Sequence, residues 1–564
     1  MKVGTSPAVH FARTKDIIKI MNISNNIRKL TQLFIVFFIA LSAVLVYWQV
    51  VVAQQVTANI HNSRHCLSDN APVRGRIFDR NGVLLADSKP SNTTCGYQRH
   101  YYLKNYPSLA GLLGYYISPL YASSGIEYKY DDYLSGRLGV TALNNYVNQT
   151  LHRPPVGDDI YLTIDVRMQA LLEKYFDQAA PPPDGINIFQ TDRGSAIIAN
   201  PHTGEILAML SRPTFDPNRV ASGDLKYFTS LEKDPEQPLL ERPIQSTYIP
   251  GSTYKTMTLL AGLNSGSSSL NDPFYNDHDP NHLQAIGPVK IGSGEETEIF
   301  GPTGNNINTY TRNFPVNLRY GYTHSDNIMF AQVGAKMGSA TWLDYNNRFY
   351  VGRKIPFDLP VKISTVTPAN SQSLKINQLA ENSFGQGVDS ITPLQMTMID
   401  NAIANNGELM RPTLVQKIVD PNGTTVYASS PQSLGTPITD TTASQMRDAM
   451  YGVVQCGSGR FGLPGLSPEM YNSPYAIIAK TGTGQVPQVN GKTLGAEGWL
   501  LTQAPYQNPQ LTIVAMKENV GEASVAIGPM VSRTYNDIFS KIMKIPTSPP
   551  ADQNYCFTTG QLQA

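Results

Sequence analysis

Residues 250–255 hold a serine and a lysine at a spacing that suits nucleophilic catalysis. Ser252 and Lys255 are three residues apart, so on a helix their side chains share one face, with Cβ atoms about 5–6 Å apart. A serine hydroxyl is a weak nucleophile until a neighbouring base removes its proton. Pro250 and Gly251 predict a helix that begins near Ser252, whose first N–H groups would stabilise an oxyanion. The pattern therefore predicts an acyl-transfer centre.

A second segment, Ser325-Asp326-Asn327, supplies a hydroxyl and an amide downstream of the candidate nucleophile. The hydroxyl of Ser325 can relay a proton between the attacked amide nitrogen and a lysine. The amide of Asn327 can donate to a substrate carbonyl and hold a peptide backbone in place. We therefore predict that Ser325 has a catalytic role and Asn327 a substrate-binding role.

A third segment, Lys480-Thr481-Gly482-Thr483-Gly484, ends a strongly apolar strand. Lys480 offers a cation for a substrate carboxylate, with the hydroxyls of Thr481 and Thr483 beside it. Gly482 would let the strand approach the substrate without a Cβ in the way. The N–H of Thr483 would complete an oxyanion hole together with that of Ser252.

The two lysines also explain how either could act as a base. A lysine gives up its proton near neutral pH only when its pKa is lowered, and burial and a like charge both lower it. Lys255 and Lys480, brought together around Ser252, would supply the like charge for each other. We therefore expect Ser252, Lys255, Ser325 and Lys480 to form one catalytic group.

One N-terminal segment predicts the location of the protein. Residues 33–53 carry no charged side chain and are long enough to cross a bilayer as a helix. The basic residues before it outnumber a single acid, so the positive-inside rule predicts a cytoplasmic N-terminus and an exported remainder. A cleaved signal peptide is the alternative, but its apolar core would be shorter and would end at a small-residue cleavage site. We expect a single-pass anchor in the cytoplasmic membrane.

Composition excludes some classes of function and leaves the cysteines open. The net charge of +1 over 564 residues gives no reason to expect a nucleic-acid partner. The sequence has no Cys/His cluster with metal-ligand spacing, so we expect no structural zinc and no other metal site. Export would permit disulfides, and Cys66 with Cys95 is the pair nearest in sequence. Unpaired cysteines, including Cys456 and Cys556, agree equally well with the sequence.

Periodicity and turn residues place these segments on a mixed α+β scaffold. A hairpin is predicted at Asn81-Gly82, and a linker at the proline-rich residues 179–185. Strands are predicted at 159–165, 194–199, 205–209, 476–479, 499–501 and 511–516, and helices at 166–176, 252–264, 329–337, 376–382, 394–405, 442–454 and 530–543. Strands followed by helices and then strands predict an α+β domain with an antiparallel sheet. The polar insertion 265–315 has no assigned role.

With its three motifs in the order Ser-x-x-Lys, Ser-x-Asn and Lys-Thr-Gly, the chain resembles a class B penicillin-binding protein, a monofunctional peptidoglycan D,D-transpeptidase. Residues 74–82 resemble the juxtamembrane signature of that family, and residues 200–209 its opening transpeptidase hairpin. Residues 383–387 and 391–396 resemble the segment before its long sheet-packing helix. Where family members often carry His-Ala-Trp, this chain has Glu497-Gly498-Trp499.

The resemblance implies a function and a domain order. It implies that Ser252 is acylated by stem peptides ending in D-Ala-D-Ala, that a neighbouring amine resolves the ester, and that β-lactams acylate the same serine. It further implies a membrane glycan polymerase as partner. We expect a cytoplasmic tail at 1–32, the transmembrane anchor at 33–53, a pedestal domain at 54–185, a transpeptidase domain at 186–545 and a C-terminal tail at 546–564.

Three other functions agree less well with the sequence. A β-lactamase would need a glutamate in a Glu-x-x-Leu-Asn setting, and Glu381, Glu408 and Glu469 stand in other contexts. A bifunctional enzyme would need a glycosyltransferase domain before residue 185, where hairpin and Tyr-rich patterns are found instead. An inactive scaffold would have no need of three intact motifs.

Overall fold

The computed structural model describes residues 12–47, 73–92, 96–118, 121–150, 154–176, 193–274, 288–290, 296–298, 316–460, 469–485, 496–520, 523–547 and 555–558. The strands within these residues are β1 Ile77–Phe78, β2 Leu84–Pro90, β3 Tyr97–Tyr101, β4 Tyr116–Ser118, β5 Tyr121–Ser123, β6 Asp159–Leu162, β7 Gly194–Ala199, β8 Ile206–Arg212, β9 Pro273–Phe274, β10 Pro288–Lys290, β11 Glu296–Glu298, β12 Val316–Asn317, β13 Val415–Val419, β14 Thr425–Ala428, β15 Ile478–Gly484, β16 Ala496–Ala504 and β17 Leu511–Val520.

The helices of the same residues are mostly short. Their bounds are Ala12–Val46, Leu109–Leu113, Gly125–Lys129, Asp131–Leu134, Gly139–Thr150, Val166–Phe176, Pro217–Ala221, Leu225–Lys233, Arg242–Gln245, Lys255–Ser265, Leu318–Thr323, Asn327–Met337, Ser339–Arg348, Ile376–Ser383, Pro393–Ala404, Asp440–Gln455, Ala523–Ala526, Gly528–Asp537 and Tyr555–Thr558. A 3-10 turn, Gly251–Tyr254, precedes the helix Lys255–Ser265, and a π-helical turn, Ile538–Met543, follows Gly528–Asp537.

A five-stranded antiparallel sheet forms the centre of the C-terminal region, in the order β15-β16-β17-β7-β8. Side chains alternate between its faces because successive residues of a strand point to opposite sides. In β7, Ile197 belongs to the core cluster on one face and Ile198 to the cluster on the other. Helix Pro393–Ala404 packs on the first face, and Val166–Phe176 with Gly528–Asp537 on the second. The predicted α+β fold with an antiparallel sheet is confirmed.

A second sheet joins the N-terminal and C-terminal parts of the sequence. Its order is β14-β13-β6-β1-β2-β3, with β1 parallel to β6 and the other pairs antiparallel. Strands β13 and β14 come from residues 415–428, far beyond the expected pedestal. This sheet therefore contains strands from both sides of the expected domain boundary near residue 185.

Residues 74–82, which resemble the juxtamembrane signature of the family, begin with two residues that make close contacts beside this sheet. Arg74 and Arg99 both bind the buried carboxylate of Glu127, at 2.8 and 2.6 Å. Gly75 lies against the backbone of Asp158, where an added Cβ would come within 1.8 Å of its carbonyl oxygen. A buried carboxylate held by two guanidinium groups is compensated in charge. These contacts therefore fix residues 74 and 75, which lead into strand β1.

The N-terminal helix spans Ala12–Val46. Among the described residues it is the one helix with an apolar stretch long enough to cross a membrane, Ile27–Val46, and that stretch is exposed in the protein. The apolar stretch begins before the expected residue 33, and residues 48–53 of the expected anchor lie outside the described residues. The chain thus has an N-terminal helix suited to a membrane anchor.

Several predicted elements are confirmed and three differ in detail. The hairpin at Asn81-Gly82 joins β1 and β2, and helix Val166–Phe176 has the predicted bounds. Strand β15 begins at Ile478 and not at residue 476, because Ala476 has φ +45°, outside the extended region, and the Lys-Thr-Gly motif lies in its last five residues. The catalytic helix opens with a 3-10 turn, and the final helix ends in a π turn. The linker 179–185 and most of the insertion 265–315 lie outside the described residues.

A disulfide joins Cys456 to Cys556 across 100 residues of sequence. It attaches helix Tyr555–Thr558, within the expected C-terminal tail, to the end of helix Asp440–Gln455. Tyr555 packs edge-on against Tyr451, and its hydroxyl donates to the carboxylate of Asp448. Sequence distance gave no reason to prefer this pair, and Cys66 with Cys95 lies outside the described residues.

Candidate active site

The candidate nucleophile, Ser252, lies within the 3-10 turn Gly251–Tyr254, just before the helix Lys255–Ser265. In this turn the N–H of Lys255 donates to the carbonyl of Ser252, the i to i+3 pattern of a tighter helix. Gly251 adopts φ +54°, and an added Cβ would lie 2.4 Å from the backbone of Thr483. Glycine is therefore required where this turn meets strand β15. Ser252 itself is half-buried, so its hydroxyl remains accessible.

Lys255 makes the contact that the motif predicts. Its Nζ lies 2.8 Å from Ser252 Oγ, 3.2 Å from Ser325 Oγ and 2.6 Å from Asn327 Oδ1. The backbone carbonyl of Ser325 accepts a further hydrogen bond from the same atom, at 2.6 Å. The side chain is fully buried. A proton on Ser252 therefore has an amine within direct reach.

Ser325 and Asn327 enter the site from the start of helix Asn327–Met337. Ser325 adopts φ +62°, a conformation that residues other than glycine seldom take. Asp326 caps the helix, since its Oδ1 accepts from the N–H of Met329 at 2.9 Å. This cap and the unusual backbone of Ser325 direct both neighbouring side chains toward Lys255.

Lys480 reaches the nucleophile through Ser325. Its Nζ lies 2.9 Å from Ser325 Oγ and 2.8 Å from the carbonyl of Thr481. The hydroxyl that both lysines contact is thus that of Ser325, whereas the sequence led us to expect Ser252. Lys480 is fully buried in β15, beside the ring of Tyr322. A chain of polar groups therefore runs from Ser252 through Lys255 and Ser325 to Lys480.

The protonation of this chain is set mainly by burial. Burial lowers the pKa of Lys255 to about 7, although the Asp326 carboxylate acts to raise it. Burial also lowers the pKa of Lys480 well below its usual value, and the charge of Lys255 adds to this effect. Burial raises the pKa of Asp326 to about 6, against the N–H of Met329 and the charge of Lys255. A neutral amine is therefore available near neutral pH.

The candidate substrate-binding residues of β15 lie next to the nucleophile turn. The hydroxyl of Thr481 lies 2.7 Å from that of Ser458, and Thr483 is half-buried. A Cβ on Gly482 would come within 2.7 Å of the backbone nitrogen of Thr253. Gly482 therefore allows β15 to pack on the turn that carries Ser252, a role that the sequence did not suggest. The substrate contacts of these residues and of Asn327 stay predictions.

Three residues of this region were assigned no role at the site from the sequence. Glu497 and Gly385 lie in segments that were compared with the family pattern only, and Ser458 lies outside every motif. Gly385 takes φ +85° and accepts a backbone hydrogen bond from Gly251 at 2.9 Å. Its place within a Gly-x-Gly triplet was the available signal. Within the described residues, no cluster of three or more His, Cys, Asp or Glu side chains could hold a metal ion.

Two family models match the chain. Residues 194–544 match the model of the penicillin-binding protein transpeptidase domain, and residues 74–160 match that of the penicillin-binding protein A dimerisation domain. The first match includes the three motifs and all five strands of the central sheet.

Relatives and solved structures with these names resemble the chain along most of its length. The peptidoglycan D,D-transpeptidase PbpA of Mycolicibacterium smegmatis is 28% identical over 90% of this chain and 96% of its own. The PbpA of Mycobacterium tuberculosis is 27% identical over 85% of this chain and 91% of its own. The ceftriaxone acyl-enzyme structure of penicillin-binding protein A from M. tuberculosis has a TM-score of 0.68 at 25% identity, covering 83% of this chain and 98% of that one.

Proposed function

This chain belongs to the penicillin-binding protein transpeptidase family, and we propose that it cross-links peptidoglycan as a serine D,D-transpeptidase. The observation that carries the proposal is the 2.8 Å contact between Lys255 Nζ and Ser252 Oγ, in a buried site that Ser325 connects to Lys480. Relatives named peptidoglycan D,D-transpeptidase support it over nearly the full chain. The class B assignment agrees with the single transpeptidase match.

The first step is acylation of the serine. Ser252 Oγ attacks the carbonyl carbon of the penultimate D-Ala of a stem peptide, and its proton passes to Lys255 Nζ. The N–H groups of Ser252 and Thr483 stabilise the oxyanion. The C–N bond then breaks, and the leaving D-Ala nitrogen takes a proton relayed through Ser325 Oγ. The products are free D-Ala and an ester on Ser252.

The second step transfers the acyl group to an amine of a neighbouring stem peptide. The amine attacks the ester carbonyl and gives its proton to neutral Lys255. The C–O bond to Ser252 then breaks, and Lys255 returns that proton to Ser252 Oγ. The new amide is the cross-link, and no cofactor takes part. β-Lactams enter at the first step, because Ser252 opens the ring amide and the ring nitrogen takes the proton.

Substrate binding uses the strand beside the nucleophile. Lys480, Thr481 and Thr483 bind the terminal carboxylate, and Asn327 donates to the stem-peptide backbone. A carboxylate next to Lys480 raises the pKa of its amine, opposing the effect of burial. Binding of the substrate therefore favours a charged Lys480 and leaves Lys255 as the base.

A reaction with defined peptides tests the proposal. Purified protein is mixed with a donor stem peptide ending in D-Ala-D-Ala and an acceptor with a free amine, and D-Ala release and the cross-linked product are measured. We expect both products from the wild type and neither from Ser252→Ala. A fluorescent penicillin should remain on the protein for hours. Rapid release of hydrolysed penicillin would identify a β-lactamase instead.

The anchor defines where this chemistry takes place. We infer that the N-terminus stays in the cytoplasm and that the catalytic domain lies outside the cytoplasmic membrane, because the basic residues, with Arg28 and Lys29 the last of them, lie before the uncharged residues 33–53. A cysteine-accessibility assay on Ser6→Cys and Ser433→Cys in intact spheroplasts tests this orientation. Labelling at position 433 alone is expected, and labelling at position 6 alone would reverse the topology.

The pedestal is proposed to bind a membrane glycan polymerase. Deleting the pedestal is a poor test, because β13 would lose its neighbour β6. Helix Gly139–Thr150 offers a finer one: Leu143 and Tyr146 lie three residues apart on it and are exposed. We expect Leu143→Glu with Tyr146→Glu to reduce co-purification of the polymerase. The control Val426→Glu, at an exposed position of β14, should not. Equal recovery from all three proteins would refute this docking surface.

A further inference from the structure

The residue three positions before the nucleophile is held by two side chains of one strand. The N–H of Ile249 donates to Glu497 Oε2 at 2.7 Å, and its carbonyl accepts from the indole Nε1 of Trp499 at 3.0 Å. Glu497 and Trp499 are two residues apart on β16, so their side chains lie on the same face of the sheet. Both backbone polar groups of Ile249 are therefore satisfied by this pair.

Backbone hydrogen bonds hold the chain on both sides of Ile249. Tyr248 exchanges two backbone hydrogen bonds with Ile391, at 3.0 and 2.9 Å, and the N–H of Gly251 donates to Gly385 at 2.9 Å. Between these two anchors, both backbone polar groups of Ile249 are held by side chains of β16. Substituting Glu497 or Trp499 can therefore shift the turn that carries Ser252 without removing a catalytic side chain.

The surroundings make this pair rigid. Trp499 is fully buried and meets the ring of Tyr248 edge to face. The hydroxyl of Tyr248 donates to Glu518, which also binds Arg242. Burial raises the pKa of Glu497 to about 8, and the charge of Glu518 acts in the same direction. A neutral carboxyl therefore accepts from Ile249 near neutral pH without an uncompensated buried charge.

We propose that Glu497 is a positioning residue for the nucleophile. Together with Trp499 it fixes the backbone of Ile249, and thereby the turn that carries Ser252. This inference rests on the proposed function, since it concerns the acylation of that serine. Ser252 Oγ must stay within hydrogen-bond reach of Lys255 and in line with the substrate carbonyl. A displacement of about 1 Å can cost on the order of a hundredfold in rate.

Two substitutions of Glu497 separate its acceptor from its bulk. Glu497→Gln keeps an oxygen that accepts from the N–H of Ile249, whereas Glu497→Leu removes it at similar volume. Trp499→Phe removes the donor to the carbonyl of the same residue. Glu232→Leu, at an exposed position of helix Leu225–Lys233, is the matched control.

The measurement is stopped-flow acylation of the full-length protein by a fluorescent penicillin, analysed for the binding constant KS and the acylation rate constant k2. In Glu497→Leu and Trp499→Phe we expect k2 to fall about tenfold or more while KS stays within about twofold. Glu497→Gln and Glu232→Leu should retain k2 within about twofold of the wild type. Thermal unfolding of each variant shows that it is folded at the assay temperature.

Different results would overturn different parts of the account. A folded Glu497→Leu protein with the wild-type k2 would overturn the inference, and so would a Glu497→Gln protein as impaired as Glu497→Leu. If Glu497→Leu does not fold, Trp499→Phe decides in the same way. A wild-type protein that the penicillin does not acylate would overturn the proposed function itself.

Discussion

Lys255 and Lys480 meet at one hydroxyl, since their Nζ atoms lie 3.2 and 2.9 Å from Ser325 Oγ. Both side chains are fully buried. Because charge is costly in such surroundings, burial lowers the pKa of each amine, and the charge of Lys255 lowers that of Lys480 further. A proton that Lys255 takes from Ser252 can therefore reach the hydroxyl of Ser325, which both amines contact.

Lys255 is expected to be the residue on which acylation depends most after the nucleophile. In Lys255→Ala the hydroxyl of Ser252 loses the amine at 2.8 Å, so k2 for a penicillin should fall by about 10²–10⁴-fold, the range for a general base. Lys233→Ala is a control, because Ser230 and Lys233 repeat the spacing on an exposed helix. Equal loss in both variants, or a Lys255→Ala rate within a few-fold of the wild type, would contradict this role.

The acylation rate should depend on pH through the same lysine. Burial lowers the pKa of Lys255 to about 7, and the base must be neutral to accept a proton. Below that pKa the neutral fraction falls tenfold per pH unit, so k2 should rise with pH up to about 7 and level off above it. A rate that is independent of pH across this range would contradict the assignment of the base.

Substituting Asp326 tests the direction in which the pH dependence of k2 shifts. Its carboxylate raises the pKa of Lys255, so Asp326→Asn should move the break in the profile to lower pH while keeping a side-chain oxygen for the helix cap. Asp344→Asn, at an exposed position of helix Ser339–Arg348, should leave the profile unchanged. A shift to higher pH in Asp326→Asn would show that the electrostatic account is wrong.

The proximity of the candidate catalytic residues could be predicted from the sequence because the chemistry restricts residue types. A base must lie beside the serine, and the i, i+3 spacing placed Lys255 within 2.8 Å of Ser252 Oγ. The three segments had to be brought together by the fold, and their order along the chain agreed with one site. The shared contact at Ser325 depends on its backbone at φ +62°, which no local sequence signal specifies.

Gly482 is predicted to be needed for packing at the site. An added Cβ would lie 2.7 Å from the nitrogen of Thr253 and 2.9 Å from the carbonyl oxygen of Pro250. We expect Gly482→Ala to push β15 away from the nucleophile turn and to lower k2 by about tenfold or more. In the control Gly528→Ala the nearest atom is the flexible end of Met470, at 3.3 Å. Wild-type k2 in Gly482→Ala would contradict the role in packing.

The disulfide should contribute to stability. Cys456 and Cys556 close a loop of 100 residues, so Cys456→Ser with Cys556→Ser should lower the free energy of unfolding by about 4–5 kcal/mol on the chain-entropy estimate. Chemical unfolding of the two oxidised proteins measures the difference. A reductant should destabilise the wild type and leave the double variant unchanged. Equal stability of the two oxidised proteins would contradict a stabilising bond.

Other features could not be read from the sequence because they depend on contacts between distant segments. The pairing of Cys456 with Cys556 requires the C-terminal helix to lie against helix Asp440–Gln455, and sequence proximity pointed elsewhere. Strands β13 and β14 join the sheet that contains β6, β1, β2 and β3 across more than 200 residues of sequence, as in the pairing of Ile418 with Ile160. The hydrogen bonds of Glu497 and Trp499 to Ile249 likewise follow from the register of β16.

The central claim is that Ser252 is the residue that becomes acylated. The direct measurement is mass spectrometry of the protein after reaction with a penicillin, first intact and then as proteolytic peptides. We predict one penicillin per chain, on the peptide that contains Ser252, and none on Ser252→Ala. A label on another residue, or an unchanged yield of labelled protein in Ser252→Ala, would contradict the account.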